Sequence, residues 1–444
     1  MSTQKVVHNR LVFIDIARSI AILMMLEGHF IVMALSNGYR GDHYFIYEMW
    51  RFTRGLTAPL FFTVSGLVFT YLLVRKEQPF FKNIRVKKGL TRGVQLILWG
   101  YALQLNLFYL IQGNFSGFFY IFHVLQCIGA SLILVILLTG FQRLIKGIPL
   151  TWWLAILGSL GFILKPTIYA LDFSSVHPMI ENIFVVATDD RAFKSIFALF
   201  PWFGFVALGG ALGAYVSKNP GKVYTHRFII TLLLIGLVLN LFSDYLLAVI
   251  EPVLLLLQIK SFVGLGYLFA RFGQVVWILA LIILIGKHKR YLSVFYHRRC
   301  AVLKSWWIPV LLGGSGIGII LTHFFIQQEV ILFPTFNLFS LGNLFLFVAV
   351  VITIAKLVKW NYNFFIKIGQ NTLSIYIVHV MILYAGLFGF GMNTMINRAL
   401  NPWYAIASAI GFMVFFTYFV KHIDVLRFYY QRLFFWKKWT SRKK

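Results

Sequence analysis

Apolar runs of membrane-crossing length, separated by short clusters of Lys and Arg, recur from one end of the chain to the other. A helix rising about 1.5 Å per residue needs roughly 20 apolar residues to cross the hydrocarbon core. Twelve such windows can be placed, near 12–35, 56–74, 93–112, 121–142, 150–170, 196–216, 228–250, 262–286, 306–326, 338–358, 371–391 and 402–420. The expected fold is an all-α polytopic transmembrane helical bundle of about twelve spans, ten at the least. Composition agrees, with 60% of residues hydrophobic and 12% charged. No hydrophilic stretch is long enough for a soluble domain, so 1–420 reads as one transmembrane domain and 421–444 as a basic, aromatic tail.

The charges orient the spans, because Lys and Arg are retained on the cytoplasmic side. With the N-terminus inside, 31 of the 41 basic residues fall in the inner loops and tail, and of the 13 acidic residues Glu77 and Asp424 alone do so. Both termini are then cytoplasmic. A net charge of +28 spread over such segments reflects topology and contact with anionic headgroups, not nucleic acid. The bilayer is thus the first expected partner, here a bacterial inner membrane, and a homodimer is left open. Cys127 and Cys300 cannot build a disulfide framework, and no His/Cys/Asp/Glu spacing marks a metal site. The first run is too long for a signal peptide and lacks a small-residue cleavage site, so it should remain as an anchor.

That first run also carries Asp15, Arg18, Glu27 and His29. Each ionisable group inside a span costs about 2.5–3.5 kcal/mol on insertion scales, so the cluster needs a reason. At 100° per residue, Arg18 and His29 differ by roughly 20° in direction and about 16 Å in height. They share one stripe, with Asp15 on the same side. Glu27 points to the opposite side and should not pair with His29. On the outer side follow Arg40, Asp42, His43, Glu48, Arg51 and Arg54, and the next inner loop, from Arg75 to Arg92, holds seven cations in eighteen residues. Such a loop suits a phosphorylated cytoplasmic ligand.

Several fragments together resemble the heparan-α-glucosaminide N-acetyltransferase-like family, whose relatives include the family-3 membrane acyltransferases. They are Arg10 with Ile14-Asp15-Ile-Ala-Arg18, the Arg18 to His29 spacing, Trp50-Arg51-Phe52-Thr53-Arg54 through Pro59, His123-Val-Leu-Gln126-Cys-Ile-Gly129, Phe200-Pro201-Trp202-Phe203-Gly204, and Gly369-Gln-Asn371 through Tyr376 to His379. The resemblance implies an integral membrane acyltransferase. It would take an acyl group, acetyl first among them, from cytoplasmic acyl-CoA, with no resident cofactor, and deliver it to an extracytoplasmic acceptor such as a saccharide of the cell envelope.

Roles follow from that implication. Arg85, Lys87, Lys88 and Arg92 are the candidates for the CoA phosphates. Arg18 with Asp15 would organise the cytoplasmic entrance, and His29 is the leading base for the acceptor's proton. His43 is the alternative: animal members carry asparagine eleven residues after the arginine and a histidine in the next outer loop, whereas the family-3 relatives carry histidine at the position of His29. Arg51, Arg54, His123, Gln126 and Trp202 are the candidates for the acceptor side. Asn371 and His379 read as helix-packing groups, as do Asn240 and Asp244. Two rivals stand beside the enzyme: a secondary transporter using Asp15, Arg18, Glu27 and Lys260, and a scaffold whose polar groups only pack helices.

Overall fold

The computed structural model describes residues 11–439 apart from 42–43, 76–77, 146, 174, 187–194, 263, 293–305, 327–330, 334–335, 358–361 and 385–388. Among the described residues the chain is all-α apart from a short antiparallel pairing of Ile331–Phe333 with Phe336–Asn337. The long helices are α1 (Val12–Ala34), α2 (Phe45–Arg54), α3 (Thr57–Val74), α4 (Ile84–Gln104), α5 (Val124–Gln142), α6 (Leu150–Ile163), α7 (Leu199–Lys218) and α8 (His226–Leu241). They continue as α9 (Ser243–Leu256), α10 (Gly266–Leu292), α11 (Trp307–Ile326), α12 (Leu338–Leu357), α13 (Tyr362–Gln370), α14 (Thr372–Tyr384) and α15 (Pro402–Trp439).

Every expected window overlaps at least one of these helices, and the window 228–250 is divided between α8 and α9. By length and apolarity, six of the described helices qualify as membrane spans, or eight when two bent pairs are counted as spans. The bends are 68° each, between α8 and α9 and between α13 and α14. At the first bend Asp244 turns away from α9 to accept a hydrogen bond from the backbone N–H of Gly266, 3.1 Å away. The stretch between the first two windows is largely helical, because α2 buries Phe52 while Arg51 and Arg54 stay exposed. The window at 93–112 stops early: α4 ends at Gln104, Leu105 is extended, and Asn106 caps a separate short helix, Leu107–Ile111. At the other end of the chain α15 runs through residue 421 without a break.

Helix α1 is the hub, packing against α2, α3, α10, α13, α14 and α15. Its C-terminal carbonyls would be orphaned, but Arg40 donates Nε to Leu35 O at 2.9 Å and Nη2 to Val32 O at 2.6 Å, and the backbone N–H groups of Arg398 and Leu400 donate to Met33 O and Ala34 O. Helices α3 and α7 meet backbone to backbone. A Cβ added to Gly66 would lie 1.9 Å from the carbonyl oxygen of Val206, so this approach is open to glycine alone. Asn83 begins α4 by accepting from Arg85 N at 2.9 Å and ties it to the end of α3 by donating to Leu73 O at 3.0 Å.

Candidate functional site

The lower half of the site is built where α1 crosses the break between α13 and α14. Ser19 donates its hydroxyl to Phe365 O at 2.6 Å, and Gly369 sits against the carbonyl of Asp15. Asn371 at the break donates to Lys367 O at 2.7 Å, closing the carbonyl end of α13. The next residue, Thr372, accepts from Arg18 Nη2 at 2.8 Å. Asp15 is 6% exposed on the same buried contact.

Beside Arg18 lies a cavity of about 260 Å³ bounded by α1, α3, α4, α5 and α14. Its polar groups are Arg18, Ser65, Arg92, Thr372 and Tyr376, and the rest of its wall is apolar, including Phe61, Val68 and Leu96. Of the four cations assigned to the CoA phosphates, Arg92 lines this space, whereas Arg85, Lys87 and Lys88 are exposed on the preceding turns of α4. The cavity reaches Tyr376 and stops short of His29.

The upper half begins at that tyrosine. Thr372, Tyr376 and His379 follow one another at spacings of four and three, so α14 presents all three on one face. The Tyr376 hydroxyl is 3.4 Å from His123 Nδ1, where His123 opens α5. The ring of His379 stands edge-on to Tyr376, and its Nε2 lies 2.9 Å from His29 Nδ1. Arg18 thus meets α14 at Thr372 and His29 meets it at His379. The stripe on α1 is matched by a second stripe on α14.

The acceptor-side candidates divide. His123 joins this chain of rings, and Phe197 separates it from Trp202, with ring centroids 5.6 Å and 5.0 Å apart. Gln126 is fully buried and donates to the side chain of Gln104, which spans the α4–α5 contact. Arg51 is exposed and paired with Glu48 at 2.7 Å. Arg54 lies over the Trp50 ring at 5.6 Å and packs against Gly28, next to His29. Glu27 takes its hydrogen bond from Trp50 Nε1 at 2.5 Å, which explains a carboxylate facing away from the histidine. His43 lies outside the described residues. Sequence reasoning missed the partnership of His379 with His29 and the place of Tyr376 at the head of the cavity, although the 372, 376, 379 spacing was visible.

A model of the family described as heparan-alpha-glucosaminide N-acetyltransferase, catalytic, matches residues 10–237, half of the chain. The chain belongs to that family. Comparison with curated proteins and with solved structures finds no match. Membership, with the apolar helices, makes this an integral membrane protein of acyltransferase type. The matched residues include Arg18, His29, Arg92, His123 and Trp202, while Thr372, Tyr376 and His379 come from beyond them. Helix α14, outside the match, therefore supplies the polar stripe that faces Arg18 and His29.

Proposed function

We propose that the protein moves an acyl group, acetyl foremost, from cytoplasmic acyl-CoA to a hydroxyl or amine of an extracytoplasmic acceptor such as a saccharide. The observation that supports this most directly is the column of Arg92, Arg18, Thr372, Tyr376, His379 and His29, cationic at the cavity and basic above it. A CoA thioester has the same order of parts. Its phosphates suit Arg92 and the exposed Arg85, Lys87 and Lys88, and its pantetheine arm suits an apolar wall with few donors. The thioester end then points past Tyr376 toward the histidines.

The reaction balances without a metal or redox partner. The acceptor gives its proton to His29 as its oxygen or nitrogen attacks the thioester carbonyl, and the carbon–sulfur bond breaks as the tetrahedral intermediate collapses. The departing thiolate takes the proton back from the imidazolium. Enclosure matters because a thioester open to water would be hydrolysed instead of transferred. The membrane in question is the bacterial inner membrane, with the CoA side in the cytoplasm.

The test is to incubate purified protein with acetyl-CoA labelled on the acetyl group and a panel of envelope sugars, following free thiol and labelled product. Acceptor-dependent release of CoA is the expected result, and a transporter or scaffold would release none. Arg92→Gln should raise the KM for acetyl-CoA roughly tenfold or more, the weight of a charge-assisted hydrogen bond, and change kcat little. An unchanged KM would remove Arg92 from the donor site.

A further inference from the structure

We propose that His379 is a positioning residue that fixes the tautomer of His29, leaving the lone pair on His29 Nε2. This rests on the reading of His29 as the base. His379 Nδ1 is 3.2 Å from Ile375 O, and a carbonyl oxygen can only accept, so Nδ1 carries the proton. His379 is 0% exposed. Around it stand His29 and Tyr376, with Glu27 turned away to Trp50. A buried imidazolium with no facing carboxylate would carry a large desolvation cost, so His379 is neutral and its Nε2 is an acceptor.

The contact to His29 then has one solution. Two ring nitrogens 2.9 Å apart need one proton between them, and His379 Nε2 has none to give. His29 Nδ1 is therefore the donor, and the neutral His29 ring holds its free lone pair at Nε2. That nitrogen makes no hydrogen bond to any described residue, and His29, unlike His379, is partly exposed. The base is aimed by a group that is itself aimed by the main chain. When Nε2 takes a proton, Nδ1–H still points at His379, and the same hydrogen bond becomes charge-assisted. A neutral orienter also leaves the resting base unprotonated more readily than a carboxylate would, which suits abstraction of a proton near neutral pH.

His379 touches neither donor nor acceptor in this scheme, so its effect must be separated from simple helix packing. The charged and titratable groups facing His29 are His379 on α14, His123 at the start of α5 and Arg54 on α2, while Glu27 on its own helix is turned to Trp50. Protein labelled with nitrogen-15 in histidine, studied folded in lipid nanodiscs, should show neutral His29 protonated at Nδ1. The resonance is assigned by its loss in His29→Ala. Finding the proton at Nε2 would overturn the proposal without any assay of turnover.

Kinetics supply the second arm. His379→Gln keeps an acceptor oxygen for Nδ1–H, whereas His379→Leu removes it. The Leu variant should lose about 100-fold in kcat, the lower end of what an aligned base contributes, and the Gln variant should recover most of it. KM for acetyl-CoA should hold in both, and the alkaline plateau of the pH–rate profile should fall in Leu alone. Equal losses in both variants, or a loss confined to KM, would mark a packing role and overturn the inference. Full activity in His29→Ala would instead defeat the base assignment, and the tautomer spectrum would still report whether His379 orients that ring.

Discussion

His29→Ala should reduce acyl transfer by about 100- to 10,000-fold in kcat, the range general-base catalysis supplies. Its KM for acyl-CoA should stay near the parent value, because the donor cavity ends at Tyr376 and does not include His29. The folded yield should survive as well. The His29 side chain makes one hydrogen bond to a described residue, and its loss leaves one imidazole nitrogen of His379 unpaired, a cost of about 1–3 kcal/mol. A base at His43 would make a different forecast: His43→Ala would silence the enzyme and His29→Ala would not. Initial rates with saturating labelled acetyl-CoA, for both single variants and the double variant, separate the two. Loss in His43→Ala alone would move the base to the outer segment and leave the His29–His379 pair as a helix contact.

The comparison of these two histidines shows how far sequence reaches in a membrane bundle. Hydropathy placed the helices because lipid enforces one rule at every residue of a span. Helical periodicity placed Arg18 and His29 on one stripe because direction around a helix is local geometry. Neither says which helix lies opposite. The partner of His29 is 350 positions away, so it is visible only once α14 is packed against α1. Gln126 looked like an acceptor ligand by position, but Gln104 meets it across a glycine-lined contact. Glu27 was correctly turned away from the histidine by the periodicity, but its reason, Trp50, sits on a helix that the charge of its outer face disguised as loop. The window starting at 371 leaves α13 in an inner loop, because Lys367 reads as a loop cation, yet 362–370 is helical and Asn371 at the break folds its amide back onto Lys367 O.

Gly369→Ala should be among the most damaging small substitutions in the chain. An added Cβ would stand 2.1 Å from Asp15 O and 2.7 Å from Ser19 Oγ, where ordinary contact begins at 3.4 Å. The nearest obstruction is main chain in the first turn of α1, so α1 and α13 must part by about 1 Å, and overpacking of this kind costs about 1–3 kcal/mol. Thr372 is three residues on, and its 2.8 Å bond from Arg18 would stretch past hydrogen-bonding range. The column from the cavity to the histidines would then lose its registration, and a misplacement of about 1 Å in a catalytic array costs on the order of 100-fold in rate. A lower melting temperature in detergent and a lower kcat per folded molecule should appear together. Gly411→Ala is the control, since nothing lies within 4 Å of the Cβ it would gain. If the two variants behave alike, the close crossing of α1 and α13 is not what aligns Arg18 with Thr372, and the alignment must come from the packing of α14 on α1 alone.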